Sequence, residues 1–106
     1  MERLFSIHKT MTNTNKILET QIDGLTVSPL FSSSSTETLL ISLEKGSLFP
    51  THTSPKTTFL VVLEGVIDFH IEQKTITLAS MQTYTFDKDI AHHVTAQQNA
   101  KFLIIR

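Results

Sequence analysis

The sequence has no cysteine among its 106 residues. A disulfide, a thiolate metal site and a cysteine nucleophile are therefore all excluded. The absence fits a protein of the cytoplasm, which is where we predict this chain to reside, although secreted proteins can lack cysteine as well.

The sequence also lacks a strong net charge and a long hydrophobic run. Nine lysine and arginine residues against ten aspartate and glutamate residues give a formal net charge of -1, without the basic stripe that typically binds nucleic acid. The longest apolar runs, residues 59–63 and 102–105, are far too short to cross a bilayer. The N-terminus lacks the apolar stretch of a signal peptide. We therefore predict neither a nucleic-acid nor a membrane partner.

Length and composition indicate one globular domain. Hydrophobic residues make up 40% and charged residues 18% of the chain, and 106 residues suit a single core. Residues 1–16 are poorly patterned, so we predict an N-terminal arm there and one domain over residues 17–106. The arm is either a loosely held terminus or a segment that covers a sheet edge.

From residue 17 onward, short apolar runs alternate with turn signals, and no long helical pattern is present. The pair Asp23-Gly24, for example, favours a tight turn between strand residues 21–22 and 25–27. The serine run at residues 32–35 is a polar loop, since no base stands beside it. About nine short strands separated by turns predict an all-β sandwich or barrel.

Two of the predicted strands, residues 58–63 and 102–105, are apolar on both faces. Such a strand must be covered on both sides. One face can line a barrel interior, whereas the other needs a second layer that so small a chain has few residues to build. We predict a homodimer in which this β-sheet face packs against its symmetry mate. The alternative is that the N-terminal arm covers the face within one subunit.

The stretch from Gly46 to Gly65 carries a recognisable motif. A polar segment with His52 leads into the apolar strand and ends at the second glycine. This spacing resembles the first motif of the cupin superfamily, in which a glycine is followed by a His-x-His pair, a glutamate and another glycine. Here Ser54 stands at the second histidine and Thr58 at the glutamate.

A second cupin motif is matched further along the chain. The best register places Met81 at the first glycine, Asp87 at the proline, Asp89 at the turn glycine, His92 at the last metal histidine and Ala96 at the asparagine. Of these five positions, only the histidine matches the residue of the motif. The short carboxylates of Asp87 and Asp89 are nevertheless suited to a turn. The resemblance covers residues 36–106, and 17–35 by strand count alone. It implies a cupin-type double-stranded β-helix, that is, a jelly-roll barrel.

The resemblance also implies what kind of metal site to look for. Metal-binding cupins use three histidines and a glutamate inside the barrel, and these ligands suit iron, manganese, zinc, nickel or copper. Carried over residue by residue, only His52 and His92 remain. The neutral hydroxyls of Ser54 and Thr58 are poor ligands for these ions. We therefore predict either no cofactor or a weakly held divalent transition metal at His52 and His92.

Three other residues are candidates to replace the missing ligands, namely Asp68, His70 and His93. His92 and His93 are neighbours in a predicted strand, so they should point to opposite faces. Asp68 and His70 share one face of their own strand. Whether that face looks into the barrel is left open by the sequence.

Two classes of function follow from the resemblance. In the first, the chain is a binding module for a small polar or anionic molecule, such as a sugar or a carboxylate. Its predicted pocket is lined by His52, Ser54, Thr58, Leu60, Tyr84 and His92. The imidazoles titrate near neutral pH, so an anionic ligand should bind better as the pH falls.

In the second class the chain is an enzyme. It is then either a metal-dependent dioxygenase or isomerase using His52 and His92, or a metal-free epimerase with a histidine base and Tyr84 as the acid. Both need parts that the sequence does not clearly supply, which favours the binding module and leaves enzyme activity open. A non-catalytic scaffold that contacts another protein is the third reading.

Overall fold

The computed structural model describes residues 11–106, and the first ten residues of the predicted arm lie outside the described part. The described elements are one short helix, α1 (Lys16–Glu19), and the strands β1 (Leu25–Ser32), β2 (Glu37–Leu43), β3 (Leu48–His52), β4 (Thr58–Glu64), β5 (Val66–Ile71), β6 (Lys74–Ala79), β7 (Thr83–Phe86), β8 (His92–Ala96) and β9 (Ala100–Ile105). The all-β prediction is confirmed. The division of the chain at residue 17, which falls inside α1, stays a prediction.

The strands form two antiparallel sheets that enclose the core. One sheet has the order β1-β2-β9-β4-β7 and the other the order β3-β8-β5-β6. The buried apolar side chains of both sheets make one cluster, with Leu60, Phe69 and Phe102 among its members. This is the jelly-roll arrangement that the sequence predicted. Within residues 11–106, no helix has the length and apolar character needed to span a membrane.

The predicted hairpin around Gly24 is wrong in one part. Gly24 has a φ of +61°, as a tight turn requires, and β1 does begin at Leu25. Residues 20–22, however, form no strand. The reason is that Gly24 pairs with Glu44 instead: its N–H donates to Glu44 Oε1 at 2.9 Å, and its carbonyl accepts from the Glu44 N–H at 2.8 Å.

Four turn positions adopt positive φ without glycine. Glu72 (+50°) and Gln73 (+63°) join β5 to β6, the pattern of a type I′ hairpin turn. Met81 (+71°) and Asp89 (+64°) occupy the two positions where the resemblance places glycines. The backbone conformation of those glycines is therefore kept, at a cost of about 1 kcal/mol or more per residue.

Strands β4 and β9 are apolar on both faces, as predicted. On β4, Leu60 is fully buried on the inner face, whereas Phe59 is 41% exposed on the outer face. Helix α1 lies over part of that outer surface, because the buried Lys101 Nζ donates to the carbonyls of Ile17 at 2.6 Å and Leu18 at 3.2 Å. Within residues 11–106, the chain thus covers part of the face and leaves Phe59 partly exposed. The alternative that the N-terminal arm covers this face falls largely on residues 1–10, outside the described part.

Candidate functional site

A cavity of about 220 Å³ lies between the two sheets. Its apolar lining consists of Val27, Leu39, Ile41, Phe49, Phe86 and Ile104. Its polar lining consists of His52, Thr53, Ser54, Thr58, His92 and Arg106. The structure therefore brings together His52, Ser54, Thr58 and His92, four of the residues predicted for the pocket.

His52 and His92 face each other across the β3–β8 pair. Their Cα atoms are register partners, and their ring centroids lie 4.4 Å apart in an edge-to-face arrangement. Each Nδ1 lies close to the carbonyl oxygen two residues earlier, at 2.6 Å from Pro50 O and 2.8 Å from Ile90 O. A carbonyl only accepts, so both Nδ1 atoms carry the proton. In the neutral form of such a ring, the lone pair lies on Nε2.

Aromatic packing holds His92 in place. Its ring stacks on Phe69 at 5.2 Å and meets Phe86 edge-on at 4.6 Å, and the residue is 4% exposed. Burial lowers the pKa of His92 below its usual value of 6.5, and the neighbouring His52 lowers it further, while the hydrogen bond to the Ile90 carbonyl partly offsets this. His92 is therefore a neutral imidazole near pH 7.

The lowered pKa of His92 predicts a pH-dependent stability. Below pH 6.5 the unfolded chain protonates this ring before the folded chain does, so the free energy of unfolding should fall as the pH drops from 6.5 toward the folded pKa. One such group contributes at most about 1.4 kcal/mol per pH unit. Urea unfolding between about pH 8 and pH 5 measures this slope.

The matched variants for this measurement are His92→Gln and His70→Gln. The first removes the buried titrating ring, so its stability should depend less steeply on pH than that of the native chain. The second removes an imidazole from the outer face of the sheet, and it shows what the loss of a histidine outside the cavity does to the slope. Equal slopes for the native chain and His92→Gln would show that His92 does not titrate as the packing requires.

Ser54 and Thr58 line the cavity, but their hydroxyls are bonded to each other and to the turn between them. Ser54 is 2% and Thr58 1% exposed, and their oxygens lie 2.9 Å apart. The Lys56 carbonyl accepts from either hydroxyl at 2.9 Å. At the two positions where metal-binding cupins place ligands, this chain therefore has hydroxyls that brace the 54–58 turn. Their contact with a ligand stays a prediction.

Arg106 is the site residue that the sequence analysis missed. Its Nε donates to Glu37 Oε1 at 3.0 Å, and its Nη1 donates to Ser54 Oγ at 3.3 Å. The backbones of Arg106 and Glu37 are also bonded in both directions, at 2.9 Å and 2.6 Å. This arginine is at no position of either motif. It reaches the cavity because β9 pairs with β2, a strand far from it in the sequence.

Leu60 and Tyr84, the other two predicted pocket residues, lie outside the lining of this cavity. Leu60 is fully buried in the core. Tyr84 packs against Phe69 at 5.2 Å and Phe86 at 6.3 Å. Because these same two rings contact His92, apolar rings connect the tyrosine to the histidine. Ligand-binding roles for Leu60 and Tyr84 remain predictions.

The three candidates for replacing the missing ligands lie on the outer face of the four-stranded sheet. Ile67, Phe69 and Ile71 of β5 point into the core, so Asp68 and His70 point away from it. His70 stacks on His93 at 4.2 Å, which confirms that His92 and His93 face opposite ways. Asp68 accepts from Thr77 Oγ1 at 2.7 Å and from Gln97 Nε2 at 2.9 Å, and these bonds lower the pKa of its carboxyl.

The donor set at the cavity does not fit a tightly held metal. Within residues 11–106, no three histidine, aspartate or glutamate side chains converge as a metal cluster requires. His52 and His92 offer two imidazole nitrogens, whereas the sites typical of iron or zinc have three protein ligands or more.

Comparisons with known proteins agree with this architecture. An RmlC-like cupin from Desulfovibrio desulfuricans is 19% identical, with a TM-score of 0.80 over 91% of this chain and 95% of that one. A conserved protein of unknown function from Streptococcus pyogenes is 22% identical, with a TM-score of 0.78 over 92% and 87%. A cupin-2 domain protein from Shewanella frigidimarina is 20% identical, with a TM-score of 0.74 over 90% and 92%. At these identities the likeness is one of fold.

The family assignment comes from the sequence match. No protein with a curated description matches the chain. The family model described as the cupin domain matches residues 39–106, which is more than half of the 106 residues and contains both histidines of the cavity. The chain therefore belongs to the cupin family.

Proposed function

We propose that the chain is a binding module whose ligand, a small carboxylate or sugar, occupies the cavity between the two sheets. The observation that supports this most strongly is the pair His52 and His92, each with Nδ1 bonded to a carbonyl and with Nε2 free of any partner among the described residues. Around them is an apolar wall. A few fixed polar atoms in an otherwise apolar concavity are what a small-molecule site requires.

A ligand screen tests this proposal. Protein stripped with a chelator is heated with sugars and small carboxylates, and the midpoint of thermal unfolding is recorded. At least one compound should raise it in a concentration-dependent way, since a ligand at about 100 times its Kd stabilises by about 2.7 kcal/mol.

Two tryptophan variants supply the control for the screen. Val27 lines the cavity and is 46% exposed, so Val27→Trp should narrow the opening without disturbing the core. Leu48, which is 51% exposed, lies outside the lining, so Leu48→Trp should leave the ligand effect intact. A screen without any stabilising compound, or an equal shift in Val27→Trp, contradicts the proposal.

The second candidate function is a metal-dependent dioxygenase or isomerase that uses His52 and His92. The observation in its favour is the carbonyl bonded to each Nδ1, because metal-ligating histidines are usually oriented in this way. The candidate ranks second because only two nitrogen ligands are in place and no third ligand has been found among the described residues. A non-catalytic scaffold is what remains if neither a ligand nor a metal binds.

The homodimer belongs to the same proposal. Phe59 on β4 is 41% exposed, and Leu103 and Ile105 of β9 are half-buried on the same outer face. Among residues 11–106, helix α1 covers the part of that face near Lys101, and we infer a second copy as the occupant of the rest. Light scattering should give twice the 11.9 kDa of one chain, and a monomer mass would refute the homodimer.

Residence of the protein in the cytoplasm likewise stays a prediction.

A further inference from the structure

We propose that the ligand of this cavity is a monocarboxylate with an apolar body, held by the guanidinium of Arg106. The inference rests on the proposed function and narrows it, because it separates carboxylates from sugars and gives the anchor. It follows from the free donors of Arg106, from how that side chain is held, from the charge of the cavity and from the volume and polarity of its walls.

The guanidinium retains donors for a ligand. Arginine has five N–H groups in a planar fork, of which Nε serves Glu37 and one N–H of Nη1 serves Ser54. Among the described residues, Nη2 has no hydrogen-bond partner. Nη2 and one N–H of Nη1 thus remain for a ligand, and a guanidinium can pair two N–H groups with the two oxygens of a carboxylate. Such bidentate, charge-assisted pairs are among the strong hydrogen bonds.

Arg106 is also oriented before a ligand arrives. Its side chain is 23% exposed, and Glu37 and Ser54 hold it from two directions at 3.0 Å and 3.3 Å. The backbone bonds between Arg106 and Glu37 fix the segment that carries it. Binding usually loses free energy because a long side chain must be ordered around the ligand. Here the Arg106 side chain is already ordered by its contacts in the folded protein, so less free energy is lost when a ligand binds.

The charge of the cavity favours one carboxylate rather than two. Within residues 11–106, no aspartate or glutamate lines the cavity; the nearest carboxylate to the anchor is that of Glu37, which occupies Nε of Arg106 at 3.0 Å. Arg106 is the permanent cation of that lining. Burial among aromatic rings lowers the pKa of His92, so this ring is not a second permanent cation for a dicarboxylate.

The walls of the cavity determine which chemical group the ligand can have beside its carboxylate. Six apolar side chains line it, including Ile41, Phe49 and Phe86. A dry cavity of about 150 Å³ is known to hold benzene, so the 220 Å³ here leaves room for a ring and a carboxylate. A sugar carries more hydroxyls than the two imidazoles and the guanidinium can pair, and a buried polar group without a partner is costly. The body of the ligand is therefore hydrocarbon in character.

Calorimetric titration of the full chain with matched probes tests the inference. Benzoate and cyclohexanecarboxylate are compared with their neutral amides, which have nearly the same shape, and with glucose. The carboxylates should bind the native protein, and Arg106→Gln should weaken their binding at least about tenfold, the usual loss when a charge-assisted pair is removed. The amides should be affected little, and Arg106→Lys should recover only part of the carboxylate affinity because it lacks the fork.

Lys56→Gln is the control for nonspecific charge. Its ammonium donates to the Ser35 carbonyl outside the cavity lining, so carboxylate affinity should persist in that variant. If Arg106→Gln strands the Glu37 carboxylate and does not fold, the double variant Glu37→Gln with Arg106→Gln takes its place. Amides binding as well as carboxylates, or full affinity without Arg106, overturns the inference and leaves the proposed function standing. Binding of glucose without binding of any carboxylate also overturns the inference and leaves the proposed function standing. If neither these probes nor any compound of the thermal screen binds, both the inference and the proposed function are overturned.

Discussion

Replacing Gly65 by alanine should destabilise the fold by roughly 3 kcal/mol or more, the combined cost of left-handed backbone strain and overpacking. Gly65 has a φ of +83°. A Cβ added there would collide with the Asn99 carbonyl oxygen and lie 2.7 Å from Ala100 Cα. These are backbone atoms of the last residue before β9 and of the first residue of β9, so no side-chain rotation can relieve the contact. The measurement is the free energy of unfolding in urea.

Gly46→Ala is the matched control. Gly46 has the same φ of +83°, yet an added Cβ would meet nothing within 4 Å. This variant carries the backbone strain without the collision and should cost only about 1 kcal/mol. The difference between the two variants is thus the effect of the close approach between the β4–β5 turn and Ala100. Equal costs would show that the two turns do not pack in this way.

Truncating Phe69 to alanine should have the second large effect, about 3–5 kcal/mol of lost stability. Phe69 is 1% exposed and contacts the rings of Tyr84, Phe86 and His92. Its loss would open a void in the core and remove the ring on which His92 stacks. We therefore expect both a lower free energy of unfolding and a weaker response to any ligand of the cavity.

Phe59→Ala provides the comparison for Phe69→Ala, with the same change of side chain on the outer face. Phe59 is 41% exposed, so its truncation removes less buried surface and should cost well under half as much in a single subunit. Urea unfolding of both variants at several protein concentrations also reveals any contribution from association through that face. A Phe69→Ala protein as stable as Phe59→Ala would contradict the placement of Phe69 in the core.

Much of this fold could be predicted from local pattern. The alternation in β5 correctly placed Ile67, Phe69 and Ile71 on the buried face, because side chains in a strand alternate regardless of what lies around them. The cupin motifs correctly brought His52 and His92 together, although these residues lie forty positions apart in the sequence. Local pattern failed at residues 20–22, where the partner of Gly24 is a side chain after β2 rather than a neighbouring strand.

The candidate site could be predicted only in part. The spacing of the motifs located His52, Ser54, Thr58 and His92, all of which line the cavity. It could not show that Ser54 and Thr58 bond each other and the Lys56 carbonyl, because that network depends on how the turn closes. Nor could it find Arg106, which reaches the cavity only once β9 has paired with β2. Whether Leu60 and Tyr84 contact a ligand is still open to experiment.

The measurement that most directly tests whether this cavity is a ligand site rather than a metal cage is elemental analysis of the chain purified without an affinity tag. With only two imidazoles in place, we predict that iron, manganese, nickel, copper and zinc are each far below stoichiometric amounts after dialysis. The same result is expected for His52→Ala. A near-stoichiometric transition metal in the native protein that disappears in His52→Ala would contradict the account and favour the metal-dependent enzyme.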